Sequence, residues 1–496
     1  MRTLTSDNIK EAVNGKMVFG SGNAEIRRVI TDSREAGPGD VFFALKGEKN
    51  DGHDYLAQVL KNGCRALVVS DMEKTEATVS EAAPEDKPEV ILVPDTKAAL
   101  QKLSAWYLQS LDLKVNVGVT GSVGKTSTRD FLYYVLSEKY RTSRSIKNFN
   151  NSFGLPLSLL SFAEDTEAAV IEMGMDGKGS IDLLAGLVKP DTAVITNVGV
   201  SHMENFPEEG RNGILNTKLE ITNYFNEDST LIINASNDML QDLDMKARGI
   251  PGKLIRVGTD DSCDYFAKNV MDKGTDGIEF DLTTDGKTYH VDLPVPGAHN
   301  AVNASLAIAC GVRYGLTVEE AIRGLGRVEL TEKRLTLKEK NGITVIDDTY
   351  NAAPDSVKSA INTLMATKVS DGGRRILITG DMRELGSEAE AGHRSVGEYA
   401  YEKGIDVMIA IGEMSRYTLM GWEDAAVSAG NKPEVVLNDE PYMLLDKTTG
   451  RGGEHFMTKE PVMEGIKAHV HEGDCILIKA SRFMQLEKIV KVITED

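Results

Sequence analysis

Cysteine is scarce in this sequence: four residues in 496, Cys64, Cys263, Cys310 and Cys475, with no C-x-x-C pair and no metal-ligand spacing. That excludes a disulfide scaffold and a thiolate metal site, and it fits reduced thiols, so a cytoplasmic location is expected. Positive charge is in deficit as well. Lys and Arg number 56 against 76 Asp and Glu, a formal net charge of −20, which leaves no broad basic face to track a nucleic acid. An anionic ligand must then be held by local cations, backbone N–H groups or metal ions against the general field. No apolar run approaches the roughly 18 residues that mark a membrane span. The opening M-R-T-L-T-S-D-N-I-K-E-A-V-N-G lacks the apolar segment of a secretory signal. Internal repeats and low-complexity tracts are missing too.

What is present is α/β patterning on a scale of about three domains, at roughly 150 residues each. Residues 1–95 read as a small mixed α/β domain, with a Gly37-Pro38-Gly39 turn leading into the strand V-F-F-A-L and a second strand at Ala66–Val69. The polar run Thr75 to Lys87 reads as a loop insertion. Residues 96–328 read as a central, mostly parallel sheet of the phosphate-loop type. A helix from Lys97 to Gln109 precedes a buried-type strand, Val115–Thr120, then a Gly-rich turn and a helix from Thr126 to Tyr140. In that helix Phe131, Leu132, Val135 and Leu136 share one face. Further strands are expected at Ala168–Glu172 and Thr192–Asn197. Residues 329–496 restart the alternation, with strands at 342–347, 375–380, 407–412, 434–438 and 475–480 and helical sequence between them. That is the pattern of a doubly wound, Rossmann-like domain.

The first chemical motif is T-G-S-V-G-K-T-S: Thr120, Gly121, Ser122, Val123, Gly124, Lys125, Thr126 and Ser127. A Gly-rich turn between strand and helix can wrap backbone N–H groups around phosphate oxygens. The helix dipole adds to that field, Lys125 can reach the β- and γ-phosphates, and Thr126 can ligate Mg²⁺. Val119 stands where the strict motif has its first Gly. The bland alternative is a tight turn with a solvated lysine. Glu172 ends an apolar strand, so its carboxylate points to the crevice where such sheets bind ligands, or caps a neighbouring helix. Asn300 and Asn303 lie three apart at a helix start, able to meet the donor/acceptor edge of adenine, or in the case of Asn300 to serve as an N-cap.

The T-G-S-V-G-K-T loop resembles that of the Mur ligases, ATP-dependent peptide-forming enzymes of peptidoglycan precursor synthesis. N-F-N-N-S-F-G-L-P-L-S-L-L, V-I-E-M-G-M-D-G-K-G-S-I, T-N-V-G-V-S-H-M-E-N-F and G-A-H-N-A-V-N-A-S-L-A are similar to further family segments. So are I-D-D-T-Y-N-A-A-P-D-S, T-G-D-M-R-E-L-G, the early T-D-S-R and the late I-K-A-S-R, and the likeness runs nearly end to end. It implies ATP and two Mg²⁺ as cofactors, and an acyl phosphate formed on the C-terminal carboxylate of UDP-N-acetylmuramoyl-tripeptide. D-alanyl-D-alanine then attacks. Lys125, His202 and Lys218 are the implied catalytic residues, and Thr126, Glu172, His202 and Lys218 (as a carbamate) the metal ligands. The unmodified alternative for Lys218 is a surface lysine paired with Glu220. Arg334 and Asp348 are implied to meet the ATP phosphates and ribose from the opposite domain, beside Asn300 and Asn303. Ala353 departs from the family's usual amide and carries nothing over.

The resemblance also implies that Ser33 and Arg34 hold the UDP portion and that Asn150, Asn151 and Ser152 line the route of the sugar and peptide. Asp381, Arg383, Glu384, Ser481 and Arg482 are candidates for the dipeptide. His393, His455, His469 and His471 have no partner pattern and read as surface or helix residues. A monomer is expected. Two alternatives stay open: the family member that adds the third amino acid, although its D-N-P-R segment is absent here, and a nucleotide-dependent binding protein that does not ligate. A dehydrogenase reading fails because no G-x-G-x-x-G follows the first strand of the C-terminal domain.

Overall fold

The computed structural model describes residues 2–47, 49–81, 87–146, 148–329, 334–370, 372–431, 434–437, 442–446 and 450–495. Its strands form a two-stranded ribbon and three larger sheets of five, nine and eight strands, each sheet carried by its own stretch of chain. The fold is α/β with mostly parallel sheets.

In the five-stranded sheet, Arg28–Ile30, Asp40–Phe43, Ala66–Val69 and Glu89–Leu92 run parallel, and Lys16–Phe19 closes one edge antiparallel. Successive side chains leave opposite faces of a strand. Phe42 and Leu67 accordingly pack with Leu56 and Val59 on one side, while Val41, Phe43 and Val68 join Leu100 and Leu103 of the helix Thr96–Gln109 on the other. Burial on both faces explains why V-F-F-A is apolar throughout. The expected loop from Thr75 is instead the second half of a helix, Met72–Ser80, whose N-cap Asp71 accepts from the Lys74 amide. Only Thr75 and Val79 of this helix face inward, which is why its composition reads as loop. Residues 82–86 lie outside the described residues.

The nine-stranded sheet places Val115–Thr120 between Ala168–Glu172 and Thr192–Ile195, all parallel. Their C-terminal ends therefore meet on one edge, which positions the site. At the far side, Tyr265–Asp272, Ile278–Thr284 and Lys287–Leu293 form an antiparallel meander that alternation of strand and helix does not anticipate.

The eight-stranded sheet has five parallel strands, in the order Ile343–Asp348, Cys475–Lys479, Arg375–Gly380, Val407–Ile411 and Arg451–Phe456. Ile346, Leu377, Met408 and Leu477 pack on helices at one face, and Val345, Ile376, Ile409 and Ile478 at the other, the doubly wound arrangement. The strand expected at 434–438 is an antiparallel edge strand, Glu434–Leu437, paired with Tyr442–Asp446; Asn438 lies outside the described residues. The fifth parallel strand is R-G-G-E-H-F, whose paired glycines and polar residues read locally as a turn.

Candidate active site

The edge formed by the central strands carries the phosphate-loop motif. Gly121 follows Thr120 where a Cβ would lie 1.9 Å from Thr196 Oγ1, so only glycine fits. Gly124 has φ +82°, the left-handed region that favours glycine, and it opens the helix Lys125–Leu136. The Ser122 and Val123 amides donate to Asn197 Oδ1 at 3.0 and 2.8 Å. Lys125 Nζ donates to the Gly121 and Ser122 carbonyls at 2.7 and 3.1 Å, so its ammonium folds back over the loop.

Glu172 is 2% exposed and fully engaged. Its Oε2 accepts from the Thr126 hydroxyl at 2.8 Å and its Oε1 from Asn150 Nδ2 at 2.9 Å. Arg129 Nη1 stands 3.5 Å from the same carboxylate while its Nε and Nη2 donate to Asp130. Arg129 is a buried cation beneath the loop that motif reading misses. Its signal was an arginine inside an otherwise core-facing helix, four residues past Lys125.

Two lysines feel each other here. Burial, then the charge of Lys125, pushes the Lys218 amine well below its usual range. Burial also lowers Lys125, with Glu172 opposing and Arg334 adding to the shift. Lys218 is 0% exposed and its Nζ has no hydrogen-bond partner. The surface pairing with Glu220 does not form, because Glu220 instead accepts from the Gly179 and Asp182 amides around a helix start.

The opposite wall comes from the C-terminal lobe. Arg334 lies 4.2 Å over the ring of Tyr350, and Arg482 approaches the same ring at 5.8 Å. Asp348 ends its strand beside Lys479 Nζ, at 2.5 Å. Glu384 Oε2 reaches His202 Nδ1 of the central lobe at 2.9 Å. That imidazole, and next the charge of Lys125, hold the Glu384 carboxyl below its ordinary range against the effect of burial. The two lobes thus enclose a cavity of about 410 Å³, lined by Ser122 to Ser127, Asn150, Glu172, His202, Asn300, Asn303, Arg334, Asp348 and Glu384 among others. That lies within the size range of small-molecule sites.

Three family models match the chain: "Mur ligase family, catalytic domain" over residues 25–109, "Mur ligase middle domain" over 119–311, and "Mur ligase, glutamate ligase domain" over 326–482. The UDP-N-acetylmuramoyl-tripeptide--D-alanyl-D-alanine ligase of Bacillus subtilis is 36% identical over 99% of this chain and 98% of its own length. The chain belongs to the Mur ligase family. The ligase of the same name from Escherichia coli is 30% identical over 100% of this chain and 99% of its own. Among solved structures, MurF from Acinetobacter baumannii superposes with a TM-score of 0.82 at 28% identity, covering both chains completely. The MurF ligase of Thermotoga maritima in complex with ADP has a TM-score of 0.73 at 25% identity, over 95% of this chain and 97% of its own.

Within this Mur ligase the cleft gathers most, not all, of the residues singled out from sequence. Thr120 and Gly121 shape the loop rather than line the cavity, and Lys218 sits behind the lining. Asn300 opens its helix with His299 as N-cap residue; its Nδ2 donates to the Pro296 carbonyl, and its Oδ1 accepts from Asn303. Ser33, Arg34, Asn151 and Ser152 are not among the lining residues. Asn151 Oδ1 accepts from the Phe153 and Gly154 amides, and the Ser152 carbonyl accepts from Gln101. The exposed Arg34 pairs with Asp32, and this pairing holds the Asp32 carboxyl down at about 2.

The dipeptide candidates now separate. Asp381 Oδ1 accepts from the Ser415 amide and hydroxyl, both at 2.8 Å, and Ser481 Oγ accepts from the Arg383 amide, so these two shape their loops. Arg383, over the ring of Phe483 at 3.4 Å, and Arg482, 5.8 Å from the ring of Tyr350, are exposed cations of the same lobe. His393 is a helix residue as expected but fully buried, its Nε2 accepting from the Met382 amide and its Nδ1 donating to the Ala389 carbonyl. No helix among the described residues is long and apolar enough to cross a membrane.

Proposed function

We propose that this Mur ligase is an ATP-dependent peptide ligase that joins D-alanyl-D-alanine to UDP-N-acetylmuramoyl-tripeptide, with ADP and phosphate as the other products. The observation that carries this reading is a convergence of cations in an acidic chain. Lys125 and Arg334 line one cleft from opposite lobes; burial lowers Lys125 and the charge of Arg334 adds to that shift, while the buried amine of Lys218 lies near enough to feel Lys125. Such a cluster is stabilised by a polyanion, and the first lobe presents it on a phosphate loop while the second supplies Arg334, Asp348 and Tyr350. Full-length identity to ligases of that name supports the two acyl substrates.

The chemistry follows from placement. The γ-phosphoryl group would lie against Lys125, once its ammonium leaves the Gly121 and Ser122 carbonyls, with Arg334 opposite, so negative charge spreading over its oxygens is met by cations from both lobes. The tripeptide carboxylate oxygen attacks phosphorus, the bond to ADP breaks, and an acyl phosphate forms. The dipeptide amine attacks the acyl carbon, phosphate leaves, and the amine loses a proton. Arg383 and Arg482, exposed on the C-terminal lobe, are suited to the terminal carboxylate of the dipeptide. Asn150, Asn151 and Ser152 border the tripeptide's approach, and Ser33 and Arg34 that of the UDP group.

The residues present fit Mg²⁺. A hydroxyl and a carboxylate, Thr126 and Glu172, stand 2.8 Å apart as hard oxygen donors. Lys218 is a buried amine without a partner, the form that adds to CO₂ to give a carbamate oxygen ligand and a released proton. Thr126 and Glu172 would hold one ion, His202 and carbamoylated Lys218 a second, supplying positive charge to the transferring phosphoryl group. A monomer in the cytoplasm is the state proposed for the enzyme. Phosphate release measured with each substrate omitted in turn tests the reading. Ligation requires the UDP-linked tripeptide for any turnover and the dipeptide for a product heavier by the mass of the free dipeptide less one water. Release independent of both overturns it.

A further inference from the structure

Lys479 is a buried cation in a motif, I-K-A-S-R, whose serine and arginine draw attention first. It ends the strand Cys475–Lys479 and is 3% exposed. In the parallel pairing with Ile343–Asp348 it stands directly opposite Asp348, so both side chains leave the same face of the sheet. Its Nζ donates to Asp348 Oδ2 at 2.5 Å and to the Asn351 carbonyl at 2.9 Å. One ammonium thus ties the end of a strand to the turn three residues beyond it. That turn carries Tyr350, which stacks on Arg334, and all five residues line the cleft. Immediately after Lys479, on the same lobe, Ser481 donates its amide to the Asp381 carbonyl and accepts from the Arg383 amide.

Burying a lysine costs desolvation and side-chain entropy, and a methionine would fill the same space without either. The cation is therefore spent on order. Asp348 is buried at the end of its strand with a carboxylate that needs a counter-charge to stay ionised, and a turn held in one conformation does not have to be ordered when ligand arrives.

We propose that Lys479 is a positioning residue for the nucleotide: it presets the turn from Asp348 to Ala353 so that Asp348 and the Tyr350-supported Arg334 face the phosphate loop before ATP binds. This rests on the reading of the cleft as the ATP site. Its effect falls on the cost of binding nucleotide, and not on the affinity for either acyl substrate.

The test compares Lys479→Met with wild type by steady-state phosphate release, each substrate varied in turn, with circular dichroism to check folding. The expected result is a KM for ATP raised tenfold or more, with KM for tripeptide and dipeptide within twofold. Because Lys479 acts through Asp348, adding Lys479→Met to Asp348→Asn should raise KM for ATP by less than threefold further. A residue that merely fills space would lower thermal stability and leave these KM values alone. If Lys479→Met does not fold, Lys479→Gln, which keeps N–H donors without charge, is expected to give an intermediate KM for ATP. A folded variant with wild-type KM for ATP, or fully multiplicative effects in the double variant, overturns the proposal. Should wild type itself show no saturable ATP dependence, the reading of the cleft fails and takes the proposal with it.

Discussion

Replacing Lys218 by methionine should make the protein more stable and inactive at once. The amine is 0% exposed, has no hydrogen-bond partner, and is held well below its ordinary range by burial and by Lys125. A buried polar group left unsatisfied costs about 1–3 kcal/mol. Methionine keeps the length of the chain and removes that cost. For a cooperative unit of 150–250 residues each kcal/mol shifts the midpoint by about 2–4 °C, so the expected rise in Tm is roughly 2–12 °C. The assay is calorimetry in CO₂-depleted buffer without Mg²⁺, where no carbamate forms. The pH dependence has a definite sign. A lysine lowered in the folded state binds its proton more readily when unfolded, so the wild type is penalised below the ordinary value of 10.5 and recovers as pH climbs towards it. The stability gap between variant and wild type should therefore narrow with rising pH. Ligation should be lost in the variant at every pH. A methionine variant that melts below wild type, or that still ligates, would refute the reasoning.

Lys125→Ala should lower ATP-dependent phosphate release by roughly a hundredfold or more, the scale of removing one preorganised donor to developing charge; unchanged release in a folded variant contradicts its role. Gly121→Ala places a methyl carbon 1.9 Å from Thr196 Oγ1, so the loop must shift, and nucleotide binding followed by calorimetry should disappear while the other lobes keep their melting transitions. His393 is held below its ordinary 6.5 by burial, and protonation would set an N–H against the Met382 amide that Nε2 now accepts. Stability should therefore fall as pH drops below about 6.5, and His393→Gln should flatten that acid limb in a series of melting curves.

Much of the architecture is legible because parallel strands buried on both faces leave continuous apolar runs, as in V-F-F-A-L and R-I-L-I-T-G. What escapes is long-range pairing. The meander from Tyr265 to Leu293 and the strand R-G-G-E-H-F are stabilised by neighbours that no local window contains. Helix Met72–Ser80 hides for a related reason, since two inward residues suffice for a surface helix on a larger lobe. In the site, the Gly-rich loop and Glu172 can be found because their chemistry is written in adjacent residues. Lys479 cannot, because its partner Asp348 lies 131 positions away. The same holds for Glu384 and His202, which meet only once two lobes face each other. Lys218 was singled out by likeness; the unpaired burial that makes its chemistry intelligible is visible only in three dimensions.

The central claim is that this cleft hands the terminal phosphoryl group of ATP to a carboxylic acid. UDP-N-acetylmuramoyl-tripeptide labelled with ¹⁸O in its terminal carboxylate tests it directly, by mass analysis of the phosphate released during a complete turnover with D-alanyl-D-alanine. Transfer through an acyl phosphate predicts one ¹⁸O in each released phosphate and one fewer in the peptide product. Unlabelled phosphate, with the oxygen that leaves the carboxylate found in water instead, would contradict it.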